Sequence, residues 1–210
     1  MPWVTPRSSG ENTMERIILG KRSGPFGTTP AIGMVDPRYP HNVGAAIRAA
    51  SCFGAKQVWF TGNRVKTEVE SAKRITREER MKGYLDVDLI HYDRFLEQFK
   101  DATPVAVELR PNAELLPHFV HPENPLYVFG PEDGSIPQGI LRHCHRFLVI
   151  PTKHCTNLAA AVYLILYDRY LKRVQEGTEE VNHISDVLDE HRGPISTWAP
   201  EDDIVVFSNT

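Results

Sequence analysis

Cysteine is scarce in this chain. Its 210 residues hold three, Cys52, Cys144 and Cys155, an odd set without repeated spacing, which excludes a disulfide-stapled scaffold and reads as free thiols in a reducing compartment. Long apolar runs are missing too. None reaches the roughly 18 residues that span a bilayer, and no basic segment followed by an apolar stretch resembles a signal peptide, so the expected location is the cytoplasm, with no membrane contact. Hydrophobic content of 41% and charged content of 24% are those of a globular chain, which excludes wholesale disorder. The length suits one domain with a substantial core plus tails.

A large charge of one sign is also lacking, since the net value is −3. The charge is nevertheless uneven. From Glu176 to Thr210 there are nine acids against one base, Arg192, so this segment carries −8 and residues 1–175 carry +5. A basic body with an acidic tail is compatible with RNA as a partner.

Three regions are expected: a flexible arm over 1–29, rich in Gly, Pro, Ser and Thr; a folded domain over 30–175; and an acidic extension over 176–210, with a short amphipathic helix around Val181, Ile184, Val187 and Leu188. Within the domain, short apolar runs near 31–35, 57–60, 85–90, 104–107, 126–129 and 146–150 read as six strands. Helices are expected from Asn42 as N-cap to a stop at Gly54, over 67–82, from Asp93 to Phe99, over 138–142 and over 158–174. This alternation predicts an α/β fold whose mostly parallel six-stranded sheet is covered by helices on both faces.

Three strand ends lead into loops with chemical rather than packing residues, and in an open α/β sheet such loops converge at the carboxyl edge. The first is Asn42-Val43-Gly44-Ala45-Ala46-Ile47-Arg48, where a guanidinium within an alanine-rich helix can grip a phosphate or carboxylate bidentately. Its structural reading is a capping Asn and a surface Arg. The second, Phe129-Gly130-Pro131-Glu132-Asp133-Gly134-Ser135-Ile136-Pro137, is stiff and allows close backbone approach; its structural reading is an ordinary turn. The third, Ile150-Pro151-Thr152-Lys153-His154-Cys155-Thr156-Asn157-Leu158, enters a helix whose first amides can face a polar ligand; packing explains its alanines but not the polar run before them.

In this order and at these separations, from about Ala31 to Val174, the three segments resemble the motifs of the SpoU family of RNA 2′-O-ribose methyltransferases, part of the SPOUT class. The resemblance implies a deep trefoil knot in the C-terminal half of the domain, S-adenosylmethionine as cofactor, a homodimer and an RNA substrate, with tRNA favoured over rRNA. It implies Arg48, Asn42, Glu132 and Asn157 as catalytic residues, and Val107, Glu108, Gly130, Ile150, Cys155 and Leu158 as cofactor-binding residues. Arg48 is then expected to hold the substrate phosphate and the developing 2′-oxyanion, because a guanidinium is a poor proton acceptor. The chain departs from the family at Cys155, where many members carry serine, a stronger hydrogen-bond donor than a thiol.

Between Arg64 and Lys82 seven bases face four acids, a net of +3. Such a run reads either as a solvated helix face with spaced ion pairs or as a track for a phosphate backbone, with Arg48, Arg64, Lys66, Lys73, Arg74 and Arg77 as RNA contacts and Arg7, Arg16, Lys21 and Arg22 of the arm assisting. Rival chemistries are a metal site at His143-Cys144-His145 or His154-Cys155, which lacks paired ligand spacing, and a Cys155 nucleophile beside His154, which lacks an orienting third group. A non-catalytic RNA-binding or assembly factor with the same fold is the alternative outside enzymology. No metal is expected.

Overall fold

The computed structural model describes residues 14–18, 24–67, 69, 86–181 and 187. The compact units divide at Lys172/Arg173. The first is a mostly parallel α/β sheet, and it has eight strands, not six, in the order β1-β4-β3-β2-β7-β5-β8-β6. In chain order these are β1 (Glu15–Ile18), β2 (Ala31–Met34), β3 (Gln57–Phe60), β4 (Asp88–His91), β5 (Thr103–Val107), β6 (Glu114–Leu115), β7 (Pro125–Phe129) and β8 (Arg146–Val149). The helices are α1 (Pro40–Cys52), the single-turn α2 (Gln138–Leu141) and α3 (Leu158–Gln175). No helix among the described residues is long and apolar enough to cross a membrane.

The two additional strands lie at the edges. β6 is a two-residue pairing with β8, too short to leave a periodic signal. β1 falls in the stretch expected to be a free arm, and pairs antiparallel with β4. Two features dock this stretch. Arg16 approaches Asp88 at 3.7 Å and stands over the Phe26 ring. Gln57, buried on β3, accepts from the backbone N–H of Gly27 and Thr28 at 3.1 and 3.2 Å and donates to the Pro25 carbonyl at 2.8 Å. A buried amide that finds backbone partners holds 25–28 against the sheet.

Both sheet faces are covered, so the central strands read as continuous apolar runs instead of alternating ones. Odd and even positions still part company. Ile32, Met34, Val58, Phe60, Tyr127 and Phe129 join α1 and α3 in one core cluster. Ala31, Trp59, Leu126 and Val128 join Phe95, Ile136, Leu141 and Cys144 in the other. Gly33 belongs to the second face, where a side chain would meet the Phe95 ring at 2.5 Å; the ring occupies that space.

Two helix expectations change. The segment after Asp93 forms only a 3-10 turn, Phe95–Gln98, because the Asp93 carboxylate accepts from the Gly62 N–H at 2.8 Å instead of capping a helix. α1 begins at Pro40, with Tyr39 at the N-cap, which puts Asn42 inside its first turn. Most of the expected helix over 67–82, and most of the helix expected around 181–188, lie outside the described residues.

The sheet order changes direction between β2 and β7: β3 and β4 follow on one side of β2, and β5 and β8 on the other side of β7. β8 runs between β5 and β6, strands that residues 108–113 join directly. Met34 is level with Phe129, Phe129 with Val107, and Val107 with Leu148. The four strands therefore end together, and their following loops share one edge.

In the second unit, Gly177 takes a positive φ of 70° after α3, and the Arg173 guanidinium donates to Glu179 at 3.0 Å.

Candidate active site

The first and second loops meet at the switch point. Asn42, 1% exposed, donates from Nδ2 to Glu132 Oε1 at 2.6 Å. Its Oδ1 accepts from Asn157 Nδ2 at 3.1 Å. Asn157 Oδ1 in turn accepts from the Ala160 N–H at 3.2 Å, so the asparagine that caps a helix is Asn157, at the start of α3, and not Asn42. The remaining Glu132 oxygen accepts from the Arg38 N–H at 2.7 Å. One hydrogen-bonded line thus joins all three loops.

Burial pushes the Glu132 carboxyl up, but the donors around it, Asn42 and the Arg38 backbone among them, outweigh that and hold its pKa below the ordinary value. Glu132 is a fixed anion at neutral pH.

Around it lies an ion network that the sequence did not announce. Arg64 grips Asp133 with both terminal nitrogens, at 2.9 and 2.7 Å, and approaches Asp36 at 3.5 Å. Arg38 reaches Asp133 at 3.3 Å. The Arg64 guanidinium lowers the Asp133 pKa. Asp36 takes a positive φ of 44°, uncommon for a residue with a side chain, and its carboxylate occupies the space a Cβ on Gly62 would need. The available signal was opposite charge in loops that a switch point brings together.

The expected cofactor residues fall at neighbouring strand ends. Val107 closes β5, Gly130 follows β7 and Ile150 follows β8, all half-buried, and Leu158 is buried at the start of α3. The Glu108 N–H donates to the Leu148 carbonyl at 3.1 Å, and its carboxylate accepts from the Ile136 N–H at 2.9 Å. That bond ties the end of β5 to the second loop. A side chain at Gly130 would meet Ile136 N at 3.1 Å, so glycine lets this loop fold back. Cys155 is exposed in the third loop.

Arg48 sits half-buried on α1, six residues after Asn42 and therefore about 9 Å along the helix and some 120° around it; the bonded line runs through Asn42, Glu132 and Asn157. Of the expected RNA contacts, Arg64 is engaged by Asp133, and Lys66 reaches Glu15 at 3.1 Å. Lys73, Arg74 and Arg77 lie outside the described residues, as do Arg7, Lys21 and Arg22.

Cys144 is buried, which raises its thiol to about 11, while His143 and His145 beside it are exposed. Among the described residues, no group of three or more His, Cys, Asp or Glu side chains is arranged to hold a metal.

A family model described as the SpoU rRNA Methylase family matches residues 30–167. Among solved structures, the AdoMet-bound rRNA methyltransferase from Sinorhizobium meliloti is similar at 18% identity and a TM-score of 0.55, over 74% of this chain and 61% of that one. The A. aeolicus TrmH/SpoU tRNA modifying enzyme is similar at 18% identity and a TM-score of 0.56, over 78% and 82%. A structure described by 2-OH methylation of C/U34 on tRNA is similar at 22% identity and a TM-score of 0.53, over 70% and 96%. At these identities the likeness is one of fold. The chain spans 55% of another S. meliloti rRNA methyltransferase structure, little more than half its length. No curated protein matches the chain.

Proposed function

The chain belongs to the SpoU rRNA methylase family, and from that premise we propose that it transfers a methyl group from S-adenosylmethionine to a ribose 2′-hydroxyl of RNA, tRNA before rRNA, as a cytoplasmic homodimer. The observation that carries this reading is the line Arg38 N, Glu132, Asn42, Asn157, Ala160 N. It makes three loops, far apart in sequence, one rigid surface beside the strand ends proposed to hold the cofactor.

The residues there fit that cofactor. Val107, Ile150 and Leu158 offer apolar walls, and Gly130 has no side chain to obstruct backbone approach. Glu108 stiffens the loop between them, and Cys155 borders it. Bound S-adenosylmethionine supplies a methyl already activated on a sulfonium, which leaves the protein to position the ribose and stabilise the oxygen as it loses its proton.

Arg48 holds the substrate phosphate and the developing 2′-oxyanion. Asn42 orients the nucleotide, Glu132 fixes the Asn42 amide by accepting from it, and Asn157 braces Asn42 from α3. Arg64, Lys66, Lys73, Arg74 and Arg77 extend a basic track for the backbone, with Asp133 and Glu15 surrendering Arg64 and Lys66 to phosphate. The homodimer is supported by a stripe on α3, where Leu164, Tyr167 and Leu171 are exposed at helical spacing. The trefoil knot belongs to the same reading, supported by the passage of β8 between β5 and β6.

Incubation with methyl-labelled S-adenosylmethionine and total RNA, followed by nucleoside mass spectrometry, tests it. A labelled 2′-O-methyl nucleoside is expected; label confined to bases, or none, overturns it.

A further inference from the structure

Directly before Asn42, the chain displays rings and a cation. Tyr39, 41% exposed, stacks on the exposed His41 with ring centroids 5.4 Å apart and planes 24° from parallel. The Arg38 guanidinium stands 5.3 Å from the Tyr39 centroid. Exposed aromatics cost free energy in water, and here nothing in α1 requires them: the helix starts on Pro40, and its N-cap makes no side-chain bond.

Backbone bonds anchor the group on both sides. The Arg38 N–H donates to Glu132, and the Tyr39 carbonyl accepts from the Asn42 N–H at 3.0 Å. The rings are thus held at the mouth of the candidate active site, one or three residues from Asn42, by the same groups that fix Glu132 and Asn42.

We propose that Tyr39 and His41 form a stacking platform for an unpaired base of the RNA substrate, with Arg38 beside it for the adjoining phosphate. This rests on the reading of the site as an RNA methyltransferase and adds a substrate class: RNA that is single-stranded at the target. Bases in a duplex present only their edges, whereas an unstacked base offers its face, and aromatic side chains with a guanidinium are the groups that take it. A neighbouring protein chain is less suited, because the polar, ionised surroundings of Asp36, Arg64 and Asp133 match a phosphate-bearing partner better than an apolar one.

The test compares binding of unfractionated tRNA and of a fully duplex RNA by the wild-type protein and by Tyr39→Ala, Tyr39→Phe and His41→Ala, using fluorescence anisotropy. Loss of one stacked base should weaken tRNA binding about tenfold in Tyr39→Ala, with Tyr39→Phe within about twofold of wild type and duplex binding unaltered. Affinity for S-adenosylmethionine checks that each variant is folded; should Tyr39→Ala fail that check, His41→Ala decides. Unchanged tRNA binding overturns the platform, as does a Tyr39→Phe variant as weak as Tyr39→Ala, an equal loss on duplex RNA, or no tRNA binding by wild type. Methyl transfer is read separately. Tyr39-dependent binding without transfer overturns only the enzymatic reading, and transfer without Tyr39 dependence overturns only the platform.

Discussion

Asn42 and Glu132 stand 90 positions apart in the chain and 2.6 Å apart in space, amide nitrogen to carboxylate oxygen. The amide also accepts from Asn157, so a single side chain is donor to the second loop and acceptor to the third. Neither an ionised carboxylate nor an alkyl group can do both.

Asn42→Asp tests this arrangement directly. It removes the donor and sets a second carboxyl against Glu132, and two such groups cannot both ionise cheaply at that distance. The pair's folded pKa rises above the unfolded value, so the stability cost is full at neutral pH and falls as pH drops through the pair. Thermal melts should show a deficit of about 1–3 kcal/mol at pH 7.5 that narrows below pH 5. A deficit independent of pH would mean that the two groups do not face each other in solution.

Arg48→Ala should abolish methyl transfer while leaving the melting temperature and the affinity for S-adenosylmethionine close to wild type, because the proposed role lies in gripping phosphate and oxyanion. Arg48→Lys should rescue little, since an ammonium lacks the bidentate fork. Turnover near wild type in Arg48→Ala would remove Arg48 from the mechanism.

Gln57→Leu should cost about 1–3 kcal/mol, because it strips the acceptor from three donors at once: the Gly27 and Thr28 N–H groups and the Trp59 indole at 3.1 Å. Urea unfolding should show a lower midpoint with a similar slope. A midpoint equal to wild type would show that 25–28 are not held by this residue.

The six central strands were legible because each is a short apolar run closed by a turn residue. β1 was not, since Glu15-Arg16-Ile17-Ile18 carries two charges and is held by pairing with β4 and by Asp88, partners that no local pattern reveals. Asn42 reads locally as a cap, but Pro40, favoured in a helix's first turn, marks the start two residues earlier. The same shift is what moves Asn42 from a solvent-facing terminus into the buried site. The loops themselves were legible as chemistry, but the Arg38, Arg64, Asp133 network was not, because it depends on which strands neighbour one another across the switch point.

A pH-dependent contribution to stability should come from His121, whose side chain is 5% exposed. Its Nε2 lies 2.8 Å from Asp168, and a carboxylate only accepts, so Nε2 carries the proton and Nδ1 is left to accept from the Tyr127 hydroxyl. Tyr127 remains a donor because burial raises its pKa. Asp168 also receives the Lys172 ammonium, which donates to the carbonyls of Leu116 and Phe119, so the cluster fastens the segment before β7 to α3. Burial lowers the imidazole pKa from 6.5, and the opposing pull of Asp168 does not restore it, with Lys172 and Arg169 adding to the decrease. With the folded value depressed, the unfolded chain binds more protons below 6.5. Stability is full above that pH and is lost as pH falls from it through the folded value. Ordinary carboxylates titrate lower, and those of Glu132 and Asp133 are depressed further, so they do not account for a loss between pH 7 and 5. Melts across that range should decline in the wild-type protein and flatten in His121→Gln, which should also melt lower at pH 7.5. An identical decline in both would place the titrating group elsewhere.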